Sequence, residues 1–219
     1  MNDRFDHRSG RGKRMMQAVW AALGIIAAAS LFLAAPRASG AAGSQEEFLT
    51  GQFLIAAPSM GDPRFYHAVI LVVHHDKGGA LGIVVNRPVE AEPMRHLLEE
   101  LGQPSGDAAG TIELFAGGPV QPDAGFVLHS AEYKRTGTIA IDGIASMTSS
   151  PAVLSDIARG HGPKKYILAF GYAGWGPGQL EAELGEQAWF TAPDDSQLLF
   201  DDDRATLWRN ALERRSRSL

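Results

Sequence analysis

Residues 67–74 read HAVILVVH, an unbroken run with β-branched side chains at both odd and even positions. A half-buried strand alternates apolar and polar residues, because successive side chains point to opposite faces. A run apolar on both faces therefore predicts a central strand covered on both sides. Asp76-Lys77-Gly78-Gly79 follows with hairpin chemistry, and Ala80–Asn86 (ALGIVVN) is the returning strand, stopped by Arg87-Pro88. Any fold for this chain has to be built around that pair.

The rest of the pattern supplies partners. Phe53–Ala57 is a short buried strand closed by Pro58, and Pro93 opens a helix with Met94, Leu97, Leu98 and Leu101 at helical spacing. Residues 103–110 are a loop, and Ile112–Ala116 and Gly125–His129 are strands flanking Gly117-Gly118-Pro119. Thr138–Ile141 and Ile144–Met147 form a second hairpin around Asp142-Gly143. Ser150-Pro151 offers an N-cap and a first-turn proline for a helix ended by Gly160. Tyr166–Tyr172 is a buried strand and Gln179–Gln187 a helix. Trp189–Thr191 and Leu198–Phe200 read as short strands, and Arg204–Arg214 as a final helix. Hairpins with interspersed helices and no long-period repeat give an α+β class with a mixed or antiparallel sheet.

The N-terminus is a different material. Ala18–Ala35 holds eighteen residues without a formal charge, preceded by Arg11, Lys13 and Arg14 and ended by Pro36-Arg37. That arrangement fits a signal peptide or signal-anchor helix, with small residues for cleavage at Ala38-Ser39-Gly40 or Gly40-Ala41-Ala42. The preceding positive charges send the remainder outward. The expected organisation is a basic region at 1–16, a hydrophobic segment at 17–36, a linker at 37–47, one domain at 48–215 and a tail at 216–219. Residues 1–40 carry six basic and two acidic side chains, net +4. The remaining fourteen basic and twenty-three acidic groups leave a body at −9, which repels phosphate backbones and disfavours direct nucleic-acid binding. The basic residues Arg209, Arg214, Arg215 and Arg217 suit the end of a helix. With no cysteine, disulfides, thiol nucleophiles and thiolate metal sites are excluded.

No catalytic motif is complete. Ala57-Pro58-Ser59-Met60-Gly61 is a near miss to a nucleophile elbow, with alanine for the first glycine and proline before the serine. His74 and His75 are neighbours on a strand and face opposite ways, so they share no metal unless the chain bends. His75 with His129 or Asp142 is the remaining possibility. No metal and no cofactor is expected. The densest feature is Gly171-Tyr-Ala-Gly-Trp-Gly-Pro-Gly-Gln-Leu-Glu181, between a strand and a helix. It matches neither a dinucleotide fingerprint nor a phosphate loop, and Pro177 removes a donor. Trp175 there either stacks on a ligand or packs as a plug. Asp201-Asp202-Asp203 is a solvated turn and helix start without calcium-loop spacing.

Taken in order, several segments resemble the YqgE/AlgH family. They are Gly51–Phe65 (GQFLIAAPSMGDPRF), His75 through Pro88, Gly117-Gly-Pro-Val120, Gly125–Ser130, Gly171–Glu181 and Ala188-Trp-Phe190. The resemblance spans about residues 48–212. It implies a single α+β domain whose mixed sheet curls into a pseudo-barrel flanked by short helices. It implies no established catalytic activity, and the family's label as a transcriptional regulator rests on a regulatory association. The motif positions it assigns to any shared pocket are His75, Asn86, Gly118, His129, Trp175 and Gln179. Val73 stands where many relatives carry cysteine, and the apolar N-terminus is foreign to a family that looks cytosolic. The expectation is a non-enzymatic regulatory domain that binds a small molecule or a protein partner and is inner-membrane-anchored or periplasmic. The location is cytoplasmic if the true start lies downstream. The alternative is a hydrolase using Ser59 or a water activated by His75 or His129.

Overall fold

A computed structural model of the chain describes residues 48–193, 195–200 and 203–215. The apolar run becomes β2 (Val69–Asp76), paired antiparallel with β1 (Phe53–Ala56) before it and β3 (Gly79–Val84) after it. Its two-sided apolarity is used on both faces. Phe53, Ile55, Val69, Leu71 and Val73 join one core, while Leu54, Ala56, Ile70 and Val72 join a second.

The other strands are β4 (Pro88–Pro93), β5 (Thr111–Ala116), β6 (Val120–Ser130), β7 (Thr138–Ile141), β8 (Ala145–Thr148), β9 (Tyr166–Trp175) and β10 (Trp189–Ala192). They form one sheet in the order β10-β1-β2-β3-β9-β6-β8-β7, with β4 and β5 attached beside β9. β9 is the shared axis. Along one edge it takes β5 in parallel at Leu168–Phe170, then β3 at Ala173–Trp175; along the other it takes β6. The sheet curls around the first core, closed by α4 (Ser196–Leu199) and α5 (Leu207–Arg214) through Leu198, Leu199, Leu207 and Ala211. α3 (Gln179–Gly185) covers the second core. α1 (Met94–Glu100) and α2 (Ala152–Ala158) cover a third, on Leu114, Val127 and Leu168. This is the α+β class with a mixed sheet that the sequence pattern predicts, curled as the family resemblance implies.

Four local readings are corrected. The strand ended at Arg87 is followed at once by β4, an edge strand bounded by Pro88 and Pro93, where a missing N–H donor is tolerated. Leu198 and Leu199 are helical with Phe200 as the C-cap, not a strand, because Asp195 accepts the Gln197 and Leu198 N–H groups at 2.8 and 3.2 Å and starts a turn. Ser150 makes no side-chain cap; its carbonyl accepts the Val153 N–H. The last helix begins at Leu207, after Asp203 accepts the Thr206 hydroxyl at 2.6 Å. The hairpin at Asp142-Gly143 has φ of +38° and +79°, the positive pair that a two-residue primed turn needs. The apolar N-terminal segment, Asp201-Asp202 and the tail lie outside the described residues. Among the described residues no helix is long and apolar enough to cross a membrane.

Two glycines are required by close approach. A Cβ on Gly118 would stand 2.1 Å from the Tyr172 carbonyl carbon, and one on Gly171 would stand 2.3 Å from the Gly118 oxygen. The Gly117-Gly118 segment is thereby pressed backbone to backbone on β9. Gly118→Ala is expected to lower stability by at least about 3 kcal/mol, combining overpacking and backbone displacement. Gly61→Ala, with nothing within 4 Å of its Cβ, should stay within about 0.5 kcal/mol of the parent. Urea unfolding of both variants checks the contrast.

Candidate functional site

The glycine-rich run carries the chain from β9 into α3, and α3 organises three of the six candidate residues. Glu183 is its hub. The indole N–H groups of Trp175 and Trp189 donate to the same Oε2 at 2.9 and 2.7 Å, and the Gln179 amide donates to Oε1 at 2.9 Å. Gln179 Oε1 in turn accepts the Gly176 N–H at 3.0 Å, which closes the turn. Trp175 and Trp189 meet edge to face at 6.0 Å between centroids. Trp175 is buried and packs with Leu180 and Ile70, as a plug does.

His75 reaches α3 from the end of β2. Its ring is buried, and Nε2 lies 2.8 Å from Oε1 of the exposed Glu181. Nδ1 accepts the Leu49 N–H at 3.0 Å, which leaves the ring proton on Nε2 to be donated to the carboxylate. The His75 N–H donates to Thr50, and Phe48 meets the imidazole edge to face. The start of the domain is thus fastened to a histidine, and Glu181 is fastened on its other side. His74 points outward and pairs with Asp76 at 3.1 Å.

The other three candidates lie elsewhere. Gly118 is the close crossing on Tyr172 described above. Asn86 accepts the Val69 N–H at 2.9 Å and donates to the His67 carbonyl at 2.8 Å, joining β3 to the residues before β2. His129 is paired with Tyr166 at the far end of β9 from Trp175, about 30 Å along the strand. The six residues therefore do not converge on one pocket.

His129 is a histidine whose ring meets a side-chain hydroxyl, the arrangement of a nucleophile and its base. Nδ1 faces the Ser130 carbonyl at 3.1 Å, so it carries the proton, and Nε2 accepts from the Thr148 hydroxyl at 2.9 Å. Thr148 and Thr138 hydroxyls are 2.8 Å apart. Both His129 and Thr148 are fully buried at 0% exposure, so the pair is closed to solvent. Burial holds the His129 pKa below its ordinary 6.5, against the pull of the Ser130 carbonyl and the Glu132 charge. Ser59 is exposed in a turn and makes no hydrogen bond to a base among the described residues. No group of three metal-ligating side chains comes together among them either.

The residues that sequence reasoning missed are Glu181 and Glu183. Both are in the glycine-rich motif or its helix, but their partners are far off in the chain; His75 and Glu181 are 106 positions apart. Also missed were Tyr66, His67, Arg87 and Trp208, which surround the Asn86 contact.

The fold and much of the sequence are shared with known proteins. The AlgH-like family model matches residues 53–218. A UPF0301 protein of Cereibacter sphaeroides is 44% identical over 165 residues, covering 75% of this chain and 90% of the relative. One of Pseudomonas entomophila is 46% identical over 155 residues, covering 70% and 81%. The solution structure of the AlgH protein from Pseudomonas aeruginosa superposes with a TM-score of 0.66 at 40% identity, covering 78% of this chain and 91% of that one. A crystal structure of a Corynebacterium diphtheriae protein, 21% identical, shares the fold with a TM-score of 0.62 over 81% and 92% of the two chains.

Two predictions follow the hydrogen-bond geometry. Glu183→Ala strands two indole donors and an amide, and is expected to cost about 2–4 kcal/mol in urea unfolding, with Glu183→Gln less damaging. For His129, a folded-state pKa below the unfolded one means the unfolded chain binds the extra proton. Its contribution is intact above pH 6.5 and is lost as pH falls from there toward the lowered native value. The parent should lose more stability between pH 7.5 and 5.5 than His129→Gln does, measured by urea midpoints at the two pH values.

Proposed function

The chain belongs to the AlgH-like family, and on that premise we propose that it is a non-catalytic regulatory domain that binds a small molecule or protein partner, exported or held at the inner membrane by its N-terminal segment. One observation carries the non-catalytic part of the reading: the side chains with catalytic chemistry are committed to holding the fold. His75 bridges the Leu49 backbone and Glu181, Glu183 collects three donors, and the His129–Thr148 pair is sealed from solvent. A general base needs a substrate proton within hydrogen-bond reach, and none of these groups offers its free nitrogen or oxygen to a cleft. The hydrolase alternative would need Ser59 beside a base or a His75 or His129 ring open to water; the exposed turn holding Ser59 supplies no base, and both rings are buried.

The acidic body speaks for protein or small-molecule contacts over direct reading of DNA. The export half of the reading rests on the charged-then-apolar order of residues 1–40. Fractionation of cells expressing the full-length chain, with N-terminal sequencing, should recover it from membrane or periplasm, intact or beginning near residue 40. Recovery from the cytosol with its N-terminus intact would remove that half. Sequence-specific DNA binding by residues 44–219 at physiological salt would overturn the mode of action, and turnover abolished by Ser59→Ala would overturn the non-catalytic part.

A further inference from the structure

Opposite the His75 end of β2, three aromatic rings stack on the surface. Tyr66 lies on His67 with centroids 3.9 Å apart and planes 26° from parallel, and His67 lies on Trp208 of α5 at 3.9 Å and 29°. The stack is rigidly held. The Trp208 indole donates to the Ala56 carbonyl at 2.8 Å, tying the inner ring to β1. His67 sits at φ +55°, a left-handed conformation costly for a non-glycine residue, and Asn86 fixes it by taking the Val69 N–H and donating to the His67 carbonyl. Strained backbone that its surroundings over-determine marks places where a side chain has to be aimed. The residue so held is His67, and on its ring lies Tyr66, 54% exposed, with no second ring against it among the described residues.

A cation stands beside this platform. Arg87 donates to the Tyr66 carbonyl at 2.9 Å and to the Arg64 carbonyl, so its guanidinium lies under the backbone that carries the exposed ring. It is half-buried, and its two hydrogen bonds both go to backbone carbonyls. Burial lowers its pKa, opposed by the Asp62 charge, which is itself occupied by Arg64 in a bidentate pair. A guanidinium has five N–H donors, and two carbonyls leave donors for a planar or tetrahedral anion.

We propose that Tyr66 and Arg87 form a binding site for a nucleoside monophosphate, its base stacked on the outer face of Tyr66 as the fourth ring and its phosphate held by Arg87. The base is what an exposed, pre-stacked aromatic face selects, since stacking needs only a π-face and the ring has already lost its freedom to move. The phosphate is what a guanidinium with donors to spare selects, and Arg87 is held beside Tyr66 by its bond to the Tyr66 carbonyl. A free nucleotide fits better than a strand: a body carrying −9 repels a long phosphate backbone, whereas one phosphate meets one local cation. This site rests on the reading of the domain as a binding module and gives that reading a ligand class.

The test titrates the full-length protein with AMP, GMP, adenosine, ribose 5-phosphate and a six-nucleotide oligoadenylate, following intrinsic tryptophan fluorescence and calorimetric heat. Expected is saturable binding of AMP or GMP below about 1 mM, with adenosine and ribose 5-phosphate each weaker by roughly tenfold or more. Tyr66→Leu should weaken the mononucleotide by about tenfold or more while Tyr66→Phe stays within about threefold of the parent. Tyr66 is at the surface, so equal thermal midpoints for both variants will show that the fold is intact. No saturable mononucleotide binding, or binding indifferent to Tyr66→Leu, overturns the proposal. Binding of the oligonucleotide alone through Tyr66 overturns the free-nucleotide assignment. Nucleotide recovered intact after incubation keeps the non-catalytic reading separate; hydrolysis would overturn that reading while leaving the site in place.

Discussion

The fold depends on one backbone contact. β9 can border β5, β3 and β6 only if the segment between β5 and β6 crosses it at van der Waals distance, and Gly117-Gly118 does so against Gly171 and Tyr172. Without side chains at that crossing, the Gly117 N–H reaches the Phe170 carbonyl at 2.7 Å and its own carbonyl takes the Val84 N–H at 2.8 Å. Three strands are thus stitched at one point. The curl of the sheet follows, because β3 and β5 share one edge of β9 in succession and cannot lie in a flat plane with β6 on the other edge.

The same contact explains why the glycine-rich run is structural. It brings Trp175 to the second core and starts α3 where Glu181 and Glu183 face inward partners. A carboxylate that receives two indole donors is costly to desolvate and is stabilised only because the donors are aimed at it. Glycine supplies the tight path, tryptophan supplies the donors, and the result is a plug that seals one end of the sheet. The chemistry on display in the motif is spent on that seal.

This accounts for what could be read in the chain beforehand. Turn residues mark the β2–β3 hairpin and the Asp142-Gly143 turn, and apolar patterning marks the covered faces of β2, because those signals are local. β4 was missed because its PVEAEP sequence has no apolar alternation, and its strand character comes wholly from pairing with β5. Leu198–Phe200 looked like a strand because three apolar residues suit either state, and the cap at Asp195 decided it. The site was less legible than the fold. His75, Trp175 and Gln179 were singled out from motif positions, but their binding partners are glutamates on α3, and the ring stack depends on Trp208, whose indole bonds to Ala56, 152 positions away. Long-range pairs leave no spacing to count.

The two ends of β2 do different work, and that separation matters for how the protein meets a ligand. At the Asp76 end, His75 takes hold of residues 48–50, where the preceding chain enters the domain. At the Val69 end, His67, Asn86 and Arg87 hold the Tyr66 platform. Eight residues of extended strand put roughly 26 Å between them. Residues 48–50 are held at one pole of the sheet and the ring stack stands at the other. The stiff, doubly covered strand that the HAVILVVH run dictates is what keeps the two poles apart.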